Sequence, residues 1–286
     1  MVVVSIHSVG IHWNSSKPTG LDFARNLVDI LLRRKVRVTV NLSLAIAIGR
    51  PELNVDDFQN CQLLIVLGGD GTILSAMDRA IPNDIPVLGI NLGRLGFLTE
   101  LETSNFDESV IDRVLAGDFI IDERMTMQIE GHDNDKVFAL NEIVIARSTP
   151  SVRVLSLEYE ADGTLVDRIS GDGLIVATAT GSTAYSLSAG GPVVLPGLDC
   201  FLLTPVCPHT LNARPVVVSS ALKITVRMVD DRGGAQAVLD GRKIIPLSQG
   251  NPGITISKSD RTVKFVRLQE KNYFGLLRSK LSEWTH

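Results

Sequence analysis

A chain of 286 residues, 44% of them hydrophobic, can bury a core large enough for one large or two medium domains. Its 28 basic against 32 acidic residues leave a net charge of -4, which excludes a basic field able to hold a nucleic-acid backbone or an anionic membrane surface. Cys61, Cys200 and Cys207 are too few and too scattered for a disulfide framework, and Cys207-Pro208-His209 supplies only two candidate zinc ligands. The opening Met1-Val2-Val3-Val4-Ser5-Ile6 lacks the basic and long apolar regions of a signal peptide, and no apolar run reaches the roughly 18 residues needed to span a bilayer. A cytoplasmic protein with neither membrane nor nucleic-acid partner is expected.

Residues 1 to about 100 alternate short β-branched runs with helical stretches. Val2 to Ile6 reads as a strand, Leu21 to Arg33 as a helix with Leu21, Ala24, Leu27, Val28, Leu31 and Leu32 on one face, and Val36 to Val40 as a strand. Leu63 to Leu67 and Pro86 to Ile90 are further strands around a helix from about Thr72 to Ile81. Such alternation predicts an α/β domain with a parallel sheet, whose ligands sit at the carboxyl ends of strands.

One of those ends carries Gly68-Gly69-Asp70-Gly71-Thr72, three glycines around a carboxylate. Glycine leaves backbone N–H groups unshielded, so Gly68, Gly69, Gly71 and Thr72 are candidate phosphate contacts, and Asp70 is the one side chain at the tip with acid/base capacity. A plain tight turn is the alternative reading. Asn91-Leu92-Gly93-Arg94-Leu95-Gly96-Phe97 also follows a strand and should line the same crevice.

A helix from about Ser104 to Ala116, capped by Ser104 and released at Gly117, leads to a half with a period of two. Met125 to Glu130, Val137 to Ala146, Val152 to Ala161, Leu222 to Val229, Ala235 to Leu239, Ile254 to Ser257 and Thr262 to Leu268 read as strands. Hairpin signals stand between them at Asp133-Asn134-Asp135, Asp162-Gly163, Gly233-Gly234, Asp240-Gly241 and Asn251-Pro252-Gly253. Two packed sheets or an irregular barrel are expected over residues 104–271, after an α/β nucleotide-binding domain over 1–103 onto which a C-terminal helix within 272–286 packs back.

Within the β-rich half, Gly171-Asp172-Gly173 opens a strand that ends in Thr178-Ala179-Thr180-Gly181-Ser182-Thr183-Ala184-Tyr185, followed by a short helix that runs to Gly190-Gly191-Pro192. Ser182 or Thr183 at that helix start would leave N–H groups free for an anion or for base edges, and Tyr185 could stack on an adenine. N-cap residues in an exposed turn are the plainer reading. No G-x-x-x-x-G-K-[ST] loop is present, and the Gly69 turn lacks the third glycine of a dinucleotide fingerprint, so a dehydrogenase is not expected.

The order LGGDGT, NLGRLGF, ALNEIVI, GDGLIVATATGSTAYSLSAGGP and TPVCPHTLNARP closely resembles the NAD kinases over about Leu64 to Asp240. Diacylglycerol and sphingosine kinases share the first turn, and 6-phosphofructokinases have a related one; the long GDG-to-GGP segment is not shared with other kinase classes. The resemblance implies a Rossmann-like, phosphofructokinase/diacylglycerol kinase-like α/β domain and a β-rich two-sheet C-terminal domain. It implies a phosphotransferase with an alcohol acceptor that moves the γ-phosphoryl group of ATP, or the terminal group of polyphosphate, to the 2′-hydroxyl of the adenosine ribose of NAD. A divalent metal such as Mg²⁺ would ride on the phosphates without protein side-chain ligands, and the assembly would be a homodimer or homotetramer.

By the same resemblance, Asp70 meets the 2′-hydroxyl and Gly71 lines the cleft, while Asn141 and Glu142 hold the adenine and ribose part of NAD. Thr180, Thr183 and Ser188 bind NAD, the latter two at the adenine; Ala184 and Tyr185 shape its pocket, and Asp172 faces the nicotinamide ribose. Asp240 aligns with an acidic position near the nicotinamide, and a type I′ hairpin explains the same residue equally well. Ala179 stands where the family commonly has proline, and the first 40 residues receive no role. A lipid kinase would need an acyl slot instead of this polar stretch, and a non-catalytic dinucleotide sensor would have no need of Asp70.

Overall fold

Val9, Ile11 and Trp13 alternate with Gly10 and His12, and this period of two forms the first described strand of the computed structural model, β1 (Ser8–Trp13). The structure describes residues 5–15, 20–54, 58–93, 95–131, 137–148, 154–229, 234–247, 253–270 and 272–283. The strand expected at Val2 to Ile6 is corrected at its end, where residues 5–7 are not in a strand; residues 1–4 lie outside the described residues. Gly10 serves at the centre of β1 because a Cβ there would lie 2.6 Å from the Phe58 ring.

The chain divides into two compact units, Met1–Glu123 with Val263–His286, and Arg124–Thr262. The boundary expected at 103/104 therefore moves to 123/124, and the end of the last strand belongs with the first unit. In that unit β1 lies between β2 (Arg37–Val40) and β3 (Leu63–Leu67), parallel to both. β3 continues in parallel to β4 (Val87–Asn91), and β4 to the short β5 (Leu101–Glu102). Every residue of β3 and β4 is buried, as a parallel sheet covered on both faces requires.

Helix α1 (Leu21–Arg33) buries Ala24, Leu27, Val28, Ile30 and Leu31 in the core with Val9, Ile11, Leu63 and Ile65. Helix α2 (Leu42–Ile48), which the sequence reading did not identify, is two turns long and stops at Gly49 with φ 71°. Helix α3 (Asp70–Ala80) begins two residues earlier than expected, so Asp70 stands in its first turn. Helix α4 (Glu108–Leu115) is capped by Asp107, whose Oδ1 accepts the Ser109 N–H at 2.7 Å, while the expected cap Ser104 lies in a separate 3-10 turn. Aspartate fills that position well because its charge also opposes the positive helix end.

The second unit takes most of β6 (Ile120–Ile129), then β7 (Phe138–Ala139), β8 (Glu142–Arg147), β9 (Leu155–Ala161), β10 (Thr164–Gly171) and β11 (Gly173–Thr178). After the four-residue α5 (Tyr185–Ser188) come β12 (Cys200–Val206), β13 (Val216–Ser219), β14 (Ile224–Met228), β15 (Ala235–Leu239), β16 (Lys243–Leu247) and β17 (Gly253–Arg267). One antiparallel sheet runs β13-β12-β11-β8-β15-β16; the other runs β10-β9-β14-β17. Ile143, Ile145, Val176 and Phe201 of the first share a core with Leu157, Tyr159, Val226 and Ile256 of the second, so two packed sheets form and not a barrel.

Asp162-Gly163 and Asp240-Gly241 make the expected hairpins with φ values of 46° and 77°, and of 47° and 67°. The signals at Asp133-Asn134-Asp135, Gly233 and Asn251-Pro252 lie outside the described residues, as do Val152, Arg153, Arg94 and Trp284. Two expected strands, Ile254 to Ser257 and Thr262 to Leu268, are one continuous β17, which pairs with β14 at Gly253–Ile256 and with Val87 of β4 at Phe265. Polar Lys258 to Arg261 conceals its continuity in the sequence. Helix α6 (Tyr273–Glu283) belongs to the first unit, with the Tyr273 ring 6.4 Å from that of Phe97.

Candidate active site

In the first unit both glycine turns meet at one carboxylate. Asp70 Oδ2 accepts the Phe97 N–H at 2.9 Å and Oδ1 accepts the Leu98 N–H at 3.1 Å. The N–H groups before them are also committed, Leu95 to Glu102 Oε1 at 2.6 Å and Gly96 to Thr99 Oγ1 at 2.8 Å. The second turn therefore wraps Asp70, and residue 96 must be glycine for it to do so: a Cβ would lie 2.1 Å from Asp70 Oδ1. Gly68, at φ 152°, lies against Thr72, whose hydroxyl a Cβ would meet at 2.3 Å.

The phosphate donors expected from the first turn narrow in the structure. Gly68 gives its N–H to Ile90 O and Thr72 gives its own to Gly69 O, both at 2.9 Å, so Gly69, Asp70 and Gly71 are left as the candidate donors. Thr72 Oγ1 is buried and receives Asn14 Nδ2 at 3.5 Å. His12 at the end of β1 reaches Ser75 Oγ with Nε2 at 3.2 Å, and that hydroxyl donates to Thr72 O at 2.7 Å. Burial first, then the Arg79 charge, push the His12 imidazole down to about 4, so it pins α3 as a neutral ring. Sequence reading missed His12, Asn14, Thr99 and Glu102; a lone polar residue on a strand or turn has no periodic signal.

In the second unit the expected strand Val137 to Ala146 is broken at Leu140-Asn141, and Asp240 shows why. Its Oδ2 accepts the Leu140 N–H at 2.9 Å, and its Oδ1 accepts those of Asn141 and Glu142 at 2.9 and 3.1 Å. On the other side Thr178 gives its hydroxyl to Leu140 O at 2.6 Å and its N–H to Asn141 O at 2.9 Å. Gly181 closes over the same carbonyl, where a Cβ would lie 2.1 Å from Asn141 O. Asp240 is thus both the hairpin residue and the acceptor that turns Asn141 and Glu142 out of the ladder.

This turn presents two buried oxygens with no partner among the described residues, Asn141 Oδ1 and Glu142 Oε2. Unmade bonds at buried polar atoms are costly, and ligand sites are a common place for them. Burial, with the Asp240 charge second, pushes the Glu142 carboxyl up to about 8 against the opposing Tyr185 backbone N–H. Burial also raises Asp240, but three backbone N–H groups and Arg242 oppose it. With its carboxyl at about 8, Glu142 holds its proton at neutral pH, while the Asp240 oxygens are committed as acceptors to the three N–H groups of the turn.

Thr180 and Thr183 are buried beside this turn, Ala184 is half-buried, and the Tyr185 side chain is exposed. Arg124 Nη1 reaches Thr180 Oγ1 at 3.4 Å. Ser182 does not offer the open helix start expected of it, because its hydroxyl accepts from Val194 N and donates to Val194 O, both at 3.1 Å. Ala184, with no capping side chain, precedes α5. Asp172 is exposed and paired with Arg147 at 2.7 Å, and Ser188 ends α5 on the surface.

The ATP-NAD kinase N-terminal domain profile matches residues 9–119, and the ATP-NAD kinase C-terminal domain profile matches residues 140–268. The chain belongs to the NAD kinase family. An NAD kinase of Heliobacterium modesticaldum is 38% identical over 283 residues, covering 96% of this chain and 99% of the relative. That of Symbiobacterium thermophilum is 39% identical over 276 residues, covering 94% and 96%. Among solved structures, an NAD kinase from Archaeoglobus fulgidus in complex with ATP superposes with a TM-score of 0.77 at 30% identity, covering 95% of this chain and 99% of that one. Yeast NADH kinase complexed with NADH gives 0.80 at 25% identity, covering 98% and 88%. Family membership carries the phosphorylation of NAD to NADP.

Proposed function

We propose that this NAD kinase uses Asp70 to orient the 2′-hydroxyl of the adenosine ribose of NAD toward the γ-phosphoryl group of ATP. The ribose oxygen forms a bond to phosphorus as the bond to the ADP oxygen breaks, and Asp70 takes the hydroxyl proton late. Phosphoryl transfer has a loose transition state, so alignment matters more than basicity. The observation that carries this reading is the fixed carboxylate, held at both oxygens by Phe97 and Leu98 and crowded by a glycine. Gly69 and Gly71 serve the phosphates through their backbone, with Gly68 and Thr72 shaping the turn.

Asn141 and Glu142 bind the adenine and ribose part of NAD through the two unpartnered oxygens. Thr180, Thr183 and Ser188 add polar contacts, Ala184 and Tyr185 form the adenine wall, and Asp172 serves the nicotinamide ribose. Asp240 acts on the ligand through the turn it holds.

Among the described residues no group of three or more His, Cys, Asp or Glu side chains is placed to hold a metal. A divalent cation such as Mg²⁺ fits as an ion carried on the phosphates, where it neutralises their charge, and no side-chain ligand is assigned to it. Inorganic polyphosphate offers the same terminal phosphoryl chemistry and is the second donor of the proposal. The assembly is taken as a homodimer or homotetramer in the cytoplasm; among the described residues no helix is long and apolar enough to cross a membrane.

The test is NADP formation from NAD, ATP and Mg²⁺, read by an NADP-specific dehydrogenase, with wild type beside Asp70→Asn. Loss of about 10²-fold or more in turnover is expected, in the range of general acid–base contributions. An Asn variant with wild-type turnover removes Asp70 from this role.

A further inference from the structure

Leu98 gives its N–H to Asp70 Oδ1 at 3.1 Å, and its carbonyl is taken up by a guanidinium distant in sequence. Arg267 Nη1, in β17, donates to Leu98 O at 3.1 Å and to Glu100 Oε2 at 3.2 Å, while its Nε donates to Asp122 Oδ2 at 3.0 Å. Glu100 completes the arrangement by accepting the Leu268 N–H at 2.9 Å. The arginine and Glu100 side chains are 3% and 7% exposed, and the Leu98 residue is buried. The Phe265 ring stands 5.0 Å from the guanidinium carbon.

A buried ion pair is a poor device for stability, because desolvation consumes most of its attraction and a well-packed hydrocarbon often does as well. Hydrocarbon could not aim a rigid donor at one carbonyl. The planar fork of arginine reaches two carboxylates and that carbonyl at fixed angles, which a lysine ammonium cannot reproduce. Leu98 is the residue between this fork and Asp70.

We propose that Arg267 is a positioning residue for phosphoryl transfer: by clamping Leu98 between the Glu100 and Asp122 carboxylates and Asp70, it sets where the Asp70 carboxylate points. The inference rests on the reading of Asp70 above. Sequence reading had Arg267 only as one residue of a strand.

The experiment is a kinetic double-mutant cycle on the full chain with Arg267→Lys, Asp70→Asn and both together, well below each melting temperature. Arg267→Lys should lower kcat by roughly 10- to 100-fold, as an ångström-scale misplacement does, with KM for NAD and for ATP within about twofold. In the Asp70→Asn background it should lower the residual turnover no further, since the two act as one unit. A lower melting temperature with unchanged kcat, or a full second loss in the double variant, overturns the proposal. Wild-type turnover in Asp70→Asn alone is the separate failure of the Asp70 reading. If Arg267→Lys does not fold, Asp122→Ala decides: it removes the Nε acceptor and leaves Leu98 and Glu100 in place, a several-fold kcat loss at constant KM is expected, and unchanged kcat overturns the proposal.

Discussion

Glu142→Gln isolates the buried acid beside Asp240. In the wild type the carboxyl titrates at about 8 when folded, against a reference of 4.5. Below pH 4.5 both folded and unfolded carboxyls are protonated, and the group adds no pH dependence to stability. Between 4.5 and 8 the unfolded carboxyl ionises while the folded one does not, so unfolding releases a proton and stability falls as pH rises, by about 1.4 kcal/mol per unit. Above 8 both are ionised and the loss is constant. The full gap corresponds to a ceiling of about 5 kcal/mol, and relaxation around the ionised group reduces it to about 2–4 kcal/mol. Glutamine keeps the shape and removes the titration, so the variant should gain on the wild type as pH rises. Urea unfolding of both proteins at pH 5, 6, 7 and 8 measures the difference, in which titrating groups not coupled to residue 142 cancel. Parallel stability profiles across that range would falsify the assignment of the proton to Glu142.

Three further outcomes follow from local geometry. Gly96→Ala places a Cβ where Asp70 Oδ1 stands, so kcat should fall about 10²-fold while circular dichroism stays native; wild-type kcat would mean that the turn opens without moving the carboxylate. Tyr185→Ala removes a side chain that is 45% exposed, and should raise KM for NAD several-fold with less effect on kcat; unchanged NAD saturation argues against an adenine wall there. Ala179 sits at φ -57°, the value proline imposes, after a residue in extended strand conformation, so Ala179→Pro should stabilise by about 0.4–1 kcal/mol through the unfolded chain. A lower urea midpoint at unchanged slope would show that the ring does not fit this buried position.

Sequence alone sufficed wherever information is local. Five consecutive apolar residues at Leu63–Leu67 allow little besides a buried strand, and the glycines after them mark the turn that carries Asp70. Asp162-Gly163 and Asp240-Gly241 are hairpins because both positions need positive φ. The motif order from LGGDGT to the GGP turn was enough to point to the family.

What needed the tertiary structure was every decision made by partners far apart in the chain. Ser8–Trp13, with a glycine and a histidine inside it, has modest strand propensity, yet pairing with Arg37–Val40 and Leu63–Leu67 makes it an interior strand of its unit. The break at Leu140-Asn141 is invisible in an apolar alternating stretch, because the carboxylate that causes it lies 99 residues from Asn141. The second glycine turn reads as a ligand loop, and the fold commits the N–H groups of Leu95, Gly96, Phe97 and Leu98 to Glu102, Thr99 and Asp70. Arg267 reaches Leu98 across 169 residues. Propensity and motif depend on neighbours in sequence, whereas the aim of a carboxylate depends on which donors surround it in space.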